Sequence, residues 1–105
     1  MRIQLITFTG CPHASAARTT LEGVLASLGI SERIEAVDTL SPETSEPLRS
    51  WGSPTILLDG EDIAGASRPT GPGCRLYRDA EGRMQGWPPE ELLFAAFRRA
   101  MSRSA

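Results

Sequence analysis

The apolar positions along this chain alternate between two periods, and together they predict a mixed α/β domain. Residues 2–8 are mostly apolar, which is typical of a strand that is covered on both faces. Across residues 12–28 the apolar side chains recur every three or four positions, which predicts an amphipathic helix. A second strand is predicted over residues 32–38. Strand, helix and strand at this spacing form a βαβ unit, whose two strands run parallel.

The middle of the chain predicts shorter elements. Residues 41–50 are polar, and Ser41-Pro42-Glu43 predicts that a short helix begins there. A β-hairpin is predicted from the apolar run Thr55-Ile56-Leu57-Leu58, the turn Asp59-Gly60 and a return segment at Asp62-Ile63. The chain therefore continues from the βαβ unit into a helix and a hairpin.

The last third predicts a loop, a small extra hairpin and a final helix. Residues 64–73 are too rich in glycine and proline for a strand or a helix. Residues 74–87 predict a small hairpin around Asp79-Ala80-Glu81-Gly82, so that residues 64–87 form an inserted segment. Pro88-Pro89-Glu90-Glu91 begins a helix that we expect to reach about Met101. Its predicted inner face consists of Leu93, Phe94, Phe97 and Met101.

Length and charge restrict the possible functions. A chain of 105 residues predicts one domain, residues 1–105, with a single core. Its 11 basic and 13 acidic residues nearly balance, which gives no reason to expect a nucleic acid or a membrane surface as partner. The chain has no apolar run long enough to span a bilayer and no secretory signal, so we expect a cytoplasmic protein. Two cysteines in a reducing compartment favour reactive or buried thiols over a structural bridge.

The segment Cys11-Pro12-His13-Ala14 carries the most specific chemical signal. It follows the tight turn Thr9-Gly10 and opens the first predicted helix. A thiol at a helix N-terminus faces unpaired N–H groups and the positive end of the helix dipole, which favours the reactive thiolate. His13, the single histidine, is a candidate for stabilising that thiolate, and an exposed histidine on the first turn is the alternative. A small buried hydrophobic residue is the corresponding alternative for Cys11.

The order of elements, with a cysteine at the first helix and a proline opening the third strand, resembles the thioredoxin-like superfamily with a glutaredoxin-like core. The resemblance covers residues 2–64 and the last helix. It rests on Gly10-Cys11-Pro12-His13, on Ser53-Pro54-Thr55, and on Asp59-Gly60 with Gly65. The resemblance implies a thioredoxin-like fold in which Pro54 is a cis-proline beside the reactive sulfur.

The same resemblance implies a substrate groove beside Cys11. In this superfamily the backbone before the cis-proline pairs with bound substrate, which assigns that position to Ser53. We accordingly expect substrate-binding residues at Pro12, Ser53, Pro54, Thr55 and Arg68. Arg68 lies in the loop predicted beside the site, where it would steady a thiolate or an acidic substrate, and a solvated side chain is the alternative.

Ala14 stands where a dithiol enzyme has its second cysteine, so a resolving thiol must come from elsewhere. Cys74 is one candidate, because the hairpin returns the chain toward the end of the sheet that carries Cys11. A small external thiol is the other, although the chain lacks the lysine and acidic pair that monothiol glutaredoxins use to hold glutathione. Cys74 packed in the extra hairpin is an equal alternative. A Cys11–Cys74 bridge needs Cα atoms within about 7 Å.

Three functions remain open from the sequence. The first is thiol–disulfide exchange on a protein or small-molecule substrate, with Cys11 as nucleophile, His13 in support, Cys74 or an external thiol resolving, and no cofactor. The second is the handling of soft metals or organomercurials. The segment Gly73-Cys74-Arg75-Leu76-Tyr77, with the later Gly86-Trp87-Pro88-Pro89, resembles small bacterial thioredoxin-fold proteins labelled alkylmercury lyase-like. The resemblance raises this function, with both cysteines as Hg(II) or Cu(I) ligands. The third is a non-catalytic binding module on the same fold.

The metal-handling hypothesis makes further demands on the site. Cleavage of a mercury–carbon bond needs a proton donor in addition to the two thiolates, and Asp38, Asp79 and His13 are the candidates. A zinc site is not expected, because two cysteines and one histidine without the usual spacing do not complete a ligand set. The sequence does not predict the oligomeric state.

Overall fold

In residues 1–104 the strands form a four-stranded sheet and a separate two-stranded hairpin, and three helices accompany them. The computed structural model describes residues 1–104. Its elements are β1 (Ile3–Thr7), α1 (Ala14–Ser27), β2 (Ile34–Asp38), α2 (Glu46–Arg49), β3 (Thr55–Leu58), β4 (Glu61–Asp62), β5 (Tyr77–Arg78), β6 (Met84–Gln85) and α3 (Glu90–Ser104). The α/β class predicted from the sequence is therefore confirmed.

The main sheet has the strand order β2-β1-β3-β4. Strand β1 pairs in parallel with β2 and antiparallel with β3, so the expected βαβ unit is present. The antiparallel register places Ile6 opposite Thr55, which brings the C-terminal end of β1 beside the N-terminal end of β3. Strands β3 and β4 are joined by the turn at Asp59-Gly60, where both residues have positive φ. This topology brings the segment after β1 and the segment before β3 to one end of the sheet.

The larger hydrophobic core lies between the sheet and the two long helices. Ile3 and Leu5 of β1 and Ile56 and Leu58 of β3 alternate toward it, as the period of a strand requires. The helices contribute Ala17, Leu21, Val24, Leu25, Leu93, Ala96, Phe97 and Ala100. The wholly buried ring of Phe97 makes a large single contribution, since burying a phenylalanine stabilises a fold by about 1.5–3 kcal/mol.

A second, smaller cluster covers the opposite face of the sheet. Ile6, Trp51 and Leu57 form its buried centre, and Leu48 of α2 packs against them. Because β1 and β3 have apolar partners on both faces, their central residues are buried throughout. This agrees with the continuous apolar pattern of residues 2–8 rather than with an alternating one.

Two details of the predicted helices are wrong. The helix expected from Ser41 begins at Glu46, because the Thr44 hydroxyl donates to the carbonyl of Asp38 and the Arg49 guanidinium binds carbonyls of the preceding turn. On α3, Met101 is 40% exposed, although we expected it on the inner face. Ala100 is buried instead, because it follows Phe97 by three positions and so continues the stripe of α3 that packs on α1.

The inserted segment, residues 64–87, contains the small hairpin that the sequence predicts. Strands β5 and β6 pair antiparallel around the turn at residues 79–82. The Asp79 carboxylate holds that turn by accepting from the N–H groups of Glu81 and Arg83. Among residues 1–104, no helix has the length and apolar character needed to cross a membrane.

Candidate thiol site

Cys11 lies in the turn between β1 and α1. Its N–H donates to the carbonyl of Phe8 over 3.0 Å, and its own carbonyl accepts from the N–H of Ala14 over 3.3 Å. Gly10 has φ of 91°, a left-handed conformation that favours glycine, which explains the residue before the cysteine. The main chain of Cys11 is thus held by hydrogen bonds through both its N–H and its carbonyl.

Helix α1 begins later than the sequence predicts. Its N-cap is His13 and its first residue is Ala14, so Pro12 lies before the helix and not at its first position. Cys11 accordingly stands in the turn that leads into the helix. The N–H of Ala14, the first residue of the helix, is bonded to the carbonyl of Cys11. Cys11 is half-buried and Pro12 is exposed.

The carboxylate of Asp38 fixes the other end of this turn. It accepts hydrogen bonds from the hydroxyl and the N–H of Thr9 and from the N–H of Leu40. These bonds, with that from the Thr9 hydroxyl the strongest, lower the pKa of Asp38. Main-chain hydrogen bonds, chiefly from Arg83, likewise lower the pKa of Asp79. Both carboxyls therefore stay ionised at neutral pH, which argues against either one as the proton donor of an organomercurial reaction.

Ser53 and Pro54 lie next to the Cys11 turn, at the start of β3. The peptide bond between them is cis, as the resemblance implies. The Ser53 hydroxyl oxygen accepts from the N–H of Phe8 over 3.3 Å, which ties the start of β3 to the end of β1. Ser53, Pro54 and Thr55 are each less than 2% exposed, so in this structure they do not form an open groove. Their role in substrate binding stays a prediction.

Residues 70–77 cover this part of the chain, and we call them the strap. The strap places Cys74 opposite Ser53 in a parallel bridge. The bridge consists of the Ser53 N–H donating to the carbonyl of Gly73 over 2.8 Å and the Arg75 N–H donating to the carbonyl of Ser53 over 2.9 Å. Cys74 is exposed, and both cysteines are free thiols.

Hydrogen bonds therefore link the two cysteines through two intermediate residues. Cys11 is bonded to Phe8, Phe8 to Ser53, and Ser53 is paired with Cys74. The Ser53 hydroxyl is bonded to the main chain of Phe8, so the strap at Cys74 and the turn at Cys11 both adjoin the end of β1 and the start of β3. Of the predicted residues, Arg68 is exposed in the loop before the strap.

Arg75 is the residue of this site that sequence reasoning missed. Its guanidinium donates two hydrogen bonds to Asp62, of 3.0 and 2.7 Å, and a third of 3.0 Å to the Thr55 hydroxyl. The Asp62 side chain is wholly buried and that of Arg75 is 11% exposed. The guanidinium carbon also lies 4.8 Å from the centre of the Tyr77 ring and 5.8 Å from that of Trp51. Arg75 thereby anchors the strap directly after Cys74.

Tyr77 holds the other end of the strap. Its hydroxyl donates to the carbonyl of Pro54, and its ring is 4% exposed. Burial raises the pKa of Tyr77 to about 12, so the phenol remains a neutral donor at neutral pH. The carbonyl of Pro54 is therefore paired with a protonated phenol at neutral pH.

His13 packs against the segment that precedes α3. Its ring centre lies 5.8 Å from that of Trp87, with the two planes tilted by 35°. Gly86 lies directly under the ring, and a Cβ atom at that position would overlap its Cγ, Cδ2 and Nε2 atoms. These contacts tie the turn after Cys11 to the start of α3, and any effect of His13 on the Cys11 thiolate stays a prediction.

We expect Gly86→Ala to lower the free energy of unfolding by about 1–3 kcal/mol, because the added methyl group overpacks the space held by the imidazole. Gly86 does not have a positive φ, so alanine strains no backbone there. Urea denaturation of Gly86→Ala, His13→Ala and the double variant measures the coupling. In the His13→Ala background, Gly86→Ala should change the free energy of unfolding little. Equal losses of stability with and without the His13 ring would contradict the contact.

One cavity lies apart from both cysteines. It has a volume of about 470 Å³ and lies between the β3–β4 hairpin and α3. Its lining includes Trp51, Asp62, Arg99 and Arg103, and it contains neither thiol. Arg103 is paired with Glu61 at its rim. The cavity therefore contains neither of the two thiols on which the candidate site rests.

Within residues 1–104, no three His, Cys, Asp or Glu side chains are grouped so that they could hold a metal ion. A metal bound by the two cysteines alone would be held by the soft sulfur ligands that Hg(II) and Cu(I) accept.

Three comparisons with known proteins found no match for this chain. No protein-family model matches the chain, and no curated protein or solved structure matches it significantly.

Proposed function

We propose that this chain is a thiol–disulfide exchange protein of the thioredoxin-like superfamily, with Cys11 as the nucleophile and Cys74 as the resolving thiol. The proposal rests on a chain of hydrogen bonds: the Cys11 N–H donates to Phe8, the Phe8 N–H donates to the Ser53 hydroxyl, and Ser53 pairs with Cys74. Two free thiols from distant parts of the sequence thereby share one end of the sheet. The order of a βαβ unit, a short helix, a hairpin and a final helix supports the assignment to this superfamily.

The chemistry follows from the two thiols. The Cys11 thiolate attacks one sulfur of a substrate disulfide and displaces the other as a thiolate, which forms a mixed disulfide with the protein. The Cys74 thiolate then attacks the Cys11 sulfur and releases the second substrate thiolate, leaving a Cys11–Cys74 disulfide. Two electrons pass from the protein to the substrate. An external thiol pair restores the protein, and a reducing cytoplasm supplies one.

Metal handling and a binding module are the competing functions. No contact of the site favours metal handling over exchange, and the ionised state of Asp38 and Asp79 weakens the organomercurial version. A binding module requires no reactive thiol. The reactivity of Cys11 therefore separates exchange from the binding module.

Alkylation rates test the proposal, because exposure and activation predict opposite orders. Cys74 is exposed and Cys11 is half-buried, so two ordinary thiols would react with iodoacetamide faster at Cys74. An activated nucleophile reverses that order. We expect Cys11 in Cys74→Ser to be alkylated at neutral pH at least about tenfold faster than Cys74 in Cys11→Ser, since thiolate fraction controls the rate.

Mass spectrometry of the alkylated chain gives both rates on otherwise identical proteins. His13→Ala in the Cys74→Ser background shows whether the imidazole contributes. If Cys74 reacts faster at every pH between 6 and 8, the catalytic assignment of Cys11 fails and the binding module becomes the better hypothesis.

A further inference from the structure

The strap is hydrogen-bonded to the main chain of the segment that leads into β3, next to the Cys11 turn. On the side of β3 that faces away from β1, residues 50–54 are bonded to the strap. Besides the two hydrogen bonds of the Ser53 bridge, the carbonyl of Ser50 accepts from Gly71 over 2.8 Å and the N–H of Gly52 donates to the Thr70 hydroxyl over 3.3 Å. The carbonyl of Pro54 accepts from Tyr77. An extended peptide therefore finds these groups of Ser50, Gly52, Ser53 and Pro54 already paired.

An unpaired strand edge is the usual template on which an extended peptide adds as a further strand. Such a peptide obtains affinity from main-chain hydrogen bonds and specificity from pockets for alternate side chains. At Ser53 both the N–H and the carbonyl are already used within the chain. A polypeptide substrate must therefore displace the strap before it pairs with this edge.

The strap is built to stay in place. Arg75 carries a bidentate ion pair to the wholly buried Asp62 and lies against the rings of Trp51 and Tyr77. Lifting the strap removes the partner of a buried carboxylate, which is unfavourable. The strap is also packed tightly on Gly52, where an added Cβ would lie 3.0 Å from the Cβ of Arg75 and 3.3 Å from the carbonyl of Gly71.

The thiols themselves are not covered in the same way. Cys74 is exposed, and half-buried Cys11 is flanked by exposed Gly10 and Pro12. A small molecule can approach this end of the sheet without displacing any main-chain hydrogen bond of residues 50–54. The strap therefore leaves the two thiols open to small molecules while it blocks the main-chain groups of residues 50–54 from an extended peptide.

We infer that the site acts on low-molecular-mass disulfides and excludes extended polypeptides, with the strap as a built-in occupant of the peptide position. This inference rests on the proposed function and names its substrate class. A small disulfide RSSR takes two electrons from the pair of thiols and leaves as two RSH, while Cys11 and Cys74 become joined. An external thiol then reduces the protein disulfide and is itself oxidised.

Two probes with the same scissile bond test the inference. One is the 2-hydroxyethyl mixed disulfide of N-acetylcysteine amide, and the other is the same mixed disulfide on the central cysteine of an unstructured nine-residue peptide. Release of 2-mercaptoethanol gives the rate constant for each. We expect the wild-type protein to react with the small probe at least about tenfold faster, since the peptide gains no main-chain hydrogen bonds and meets the strap.

Arg75→Lys loosens the strap while keeping a cation for Asp62, because lysine provides neither the bidentate geometry nor the stacking. Arg75→Lys should reduce the ratio of the rate constants for the small probe and the peptide probe. Arg83→Lys is the matched control, since Arg83 forms an exposed ion pair with Asp79 in the β5–β6 turn. It should leave the difference unchanged.

The outcomes separate the inference from the proposed function. If Cys11→Ser reacts with the small probe as fast as the wild type, the proposed function fails. If the wild type reacts with both probes at similar rates, or if Arg75→Lys leaves the difference intact, the exclusion by the strap is wrong. Hydrogen exchange on the wild type gives an independent reading. The amides of Ser53 and Arg75 should be protected like those of β3, and exchange as fast as in an exposed turn would overturn the inference.

Discussion

Replacing Cys11 with serine is expected to lower the rate of disulfide reduction by at least about two orders of magnitude, to the background of the remaining thiol. A serine hydroxyl is not ionised at neutral pH and does not form a disulfide, so the first step of the exchange is lost. The measurement is the release of thiol from bis(2-hydroxyethyl) disulfide under a fixed supply of external dithiol. The fold should be kept, since the change is isosteric and Cys11 is half-buried.

Cys74→Ser is the matched control for this prediction. It leaves the nucleophile and removes the resolving thiol, so after exposure to the disulfide without the external dithiol the mixed disulfide on Cys11 should accumulate and appear as an added mass on the intact chain. If Cys74→Ser turns over as fast as the wild type, an external thiol performs the second step and Cys74 does not. If Cys11→Ser keeps full activity, Cys11 is not the nucleophile.

The framework of the molecule was predictable because long apolar patterns determine it. The unbroken apolar run of residues 2–8 becomes a strand with both faces covered, and the turn Asp59-Gly60 joins the expected hairpin. The helical period also identified α3 correctly. Its last turn was misjudged, since Met101 is more apolar than Ala100 but lies one position beyond the stripe that packs on α1.

Local capping and turn details were less predictable, because they depend on individual hydrogen bonds within turns. The start of α2 moved to Glu46 because the Thr44 hydroxyl reaches back to Asp38. The start of α1 moved to Ala14 in the same way, since the Cys11 carbonyl closes a turn on the N–H of that residue. Neither partner is marked by a local pattern in the sequence.

Some residues of the candidate site could likewise be predicted from the sequence, and others could not. Cys11 and the proline before β3 were visible because each stands at the end of a recognisable element. Arg75 was not, since it is one of 11 arginines, and its partner Asp62 lies thirteen residues earlier in a strand of only two residues. A buried acid in such a short strand has no sequence signature that distinguishes it from a solvated one. The strap that the two residues anchor could therefore only be found in the structure.

Loss of the Arg75 side chain, which anchors the strap, should have the largest effect on stability that we expect. Arg75→Ala should lower the free energy of unfolding by about 3–5 kcal/mol, because it leaves the wholly buried Asp62 carboxylate without its partner. It also removes the donor to Thr55 and the stacking on Tyr77. Urea denaturation followed by tryptophan fluorescence measures the loss, and Trp51 beside Arg75 reports on the site.

The chain contains its own control for the effect of burial. Arg2 forms a bidentate pair with Glu35 at 3.0 and 2.9 Å, but both side chains are largely in solvent. Arg2→Ala should therefore change stability far less than Arg75→Ala, although the two ion pairs have the same chemistry. A double variant Asp62→Leu, Arg75→Met should recover much of the loss, because it removes the buried charge together with its partner. If Arg75→Ala proves as mild as Arg2→Ala, water reaches Asp62 readily, and the strap is held by its main-chain hydrogen bonds rather than by the buried ion pair.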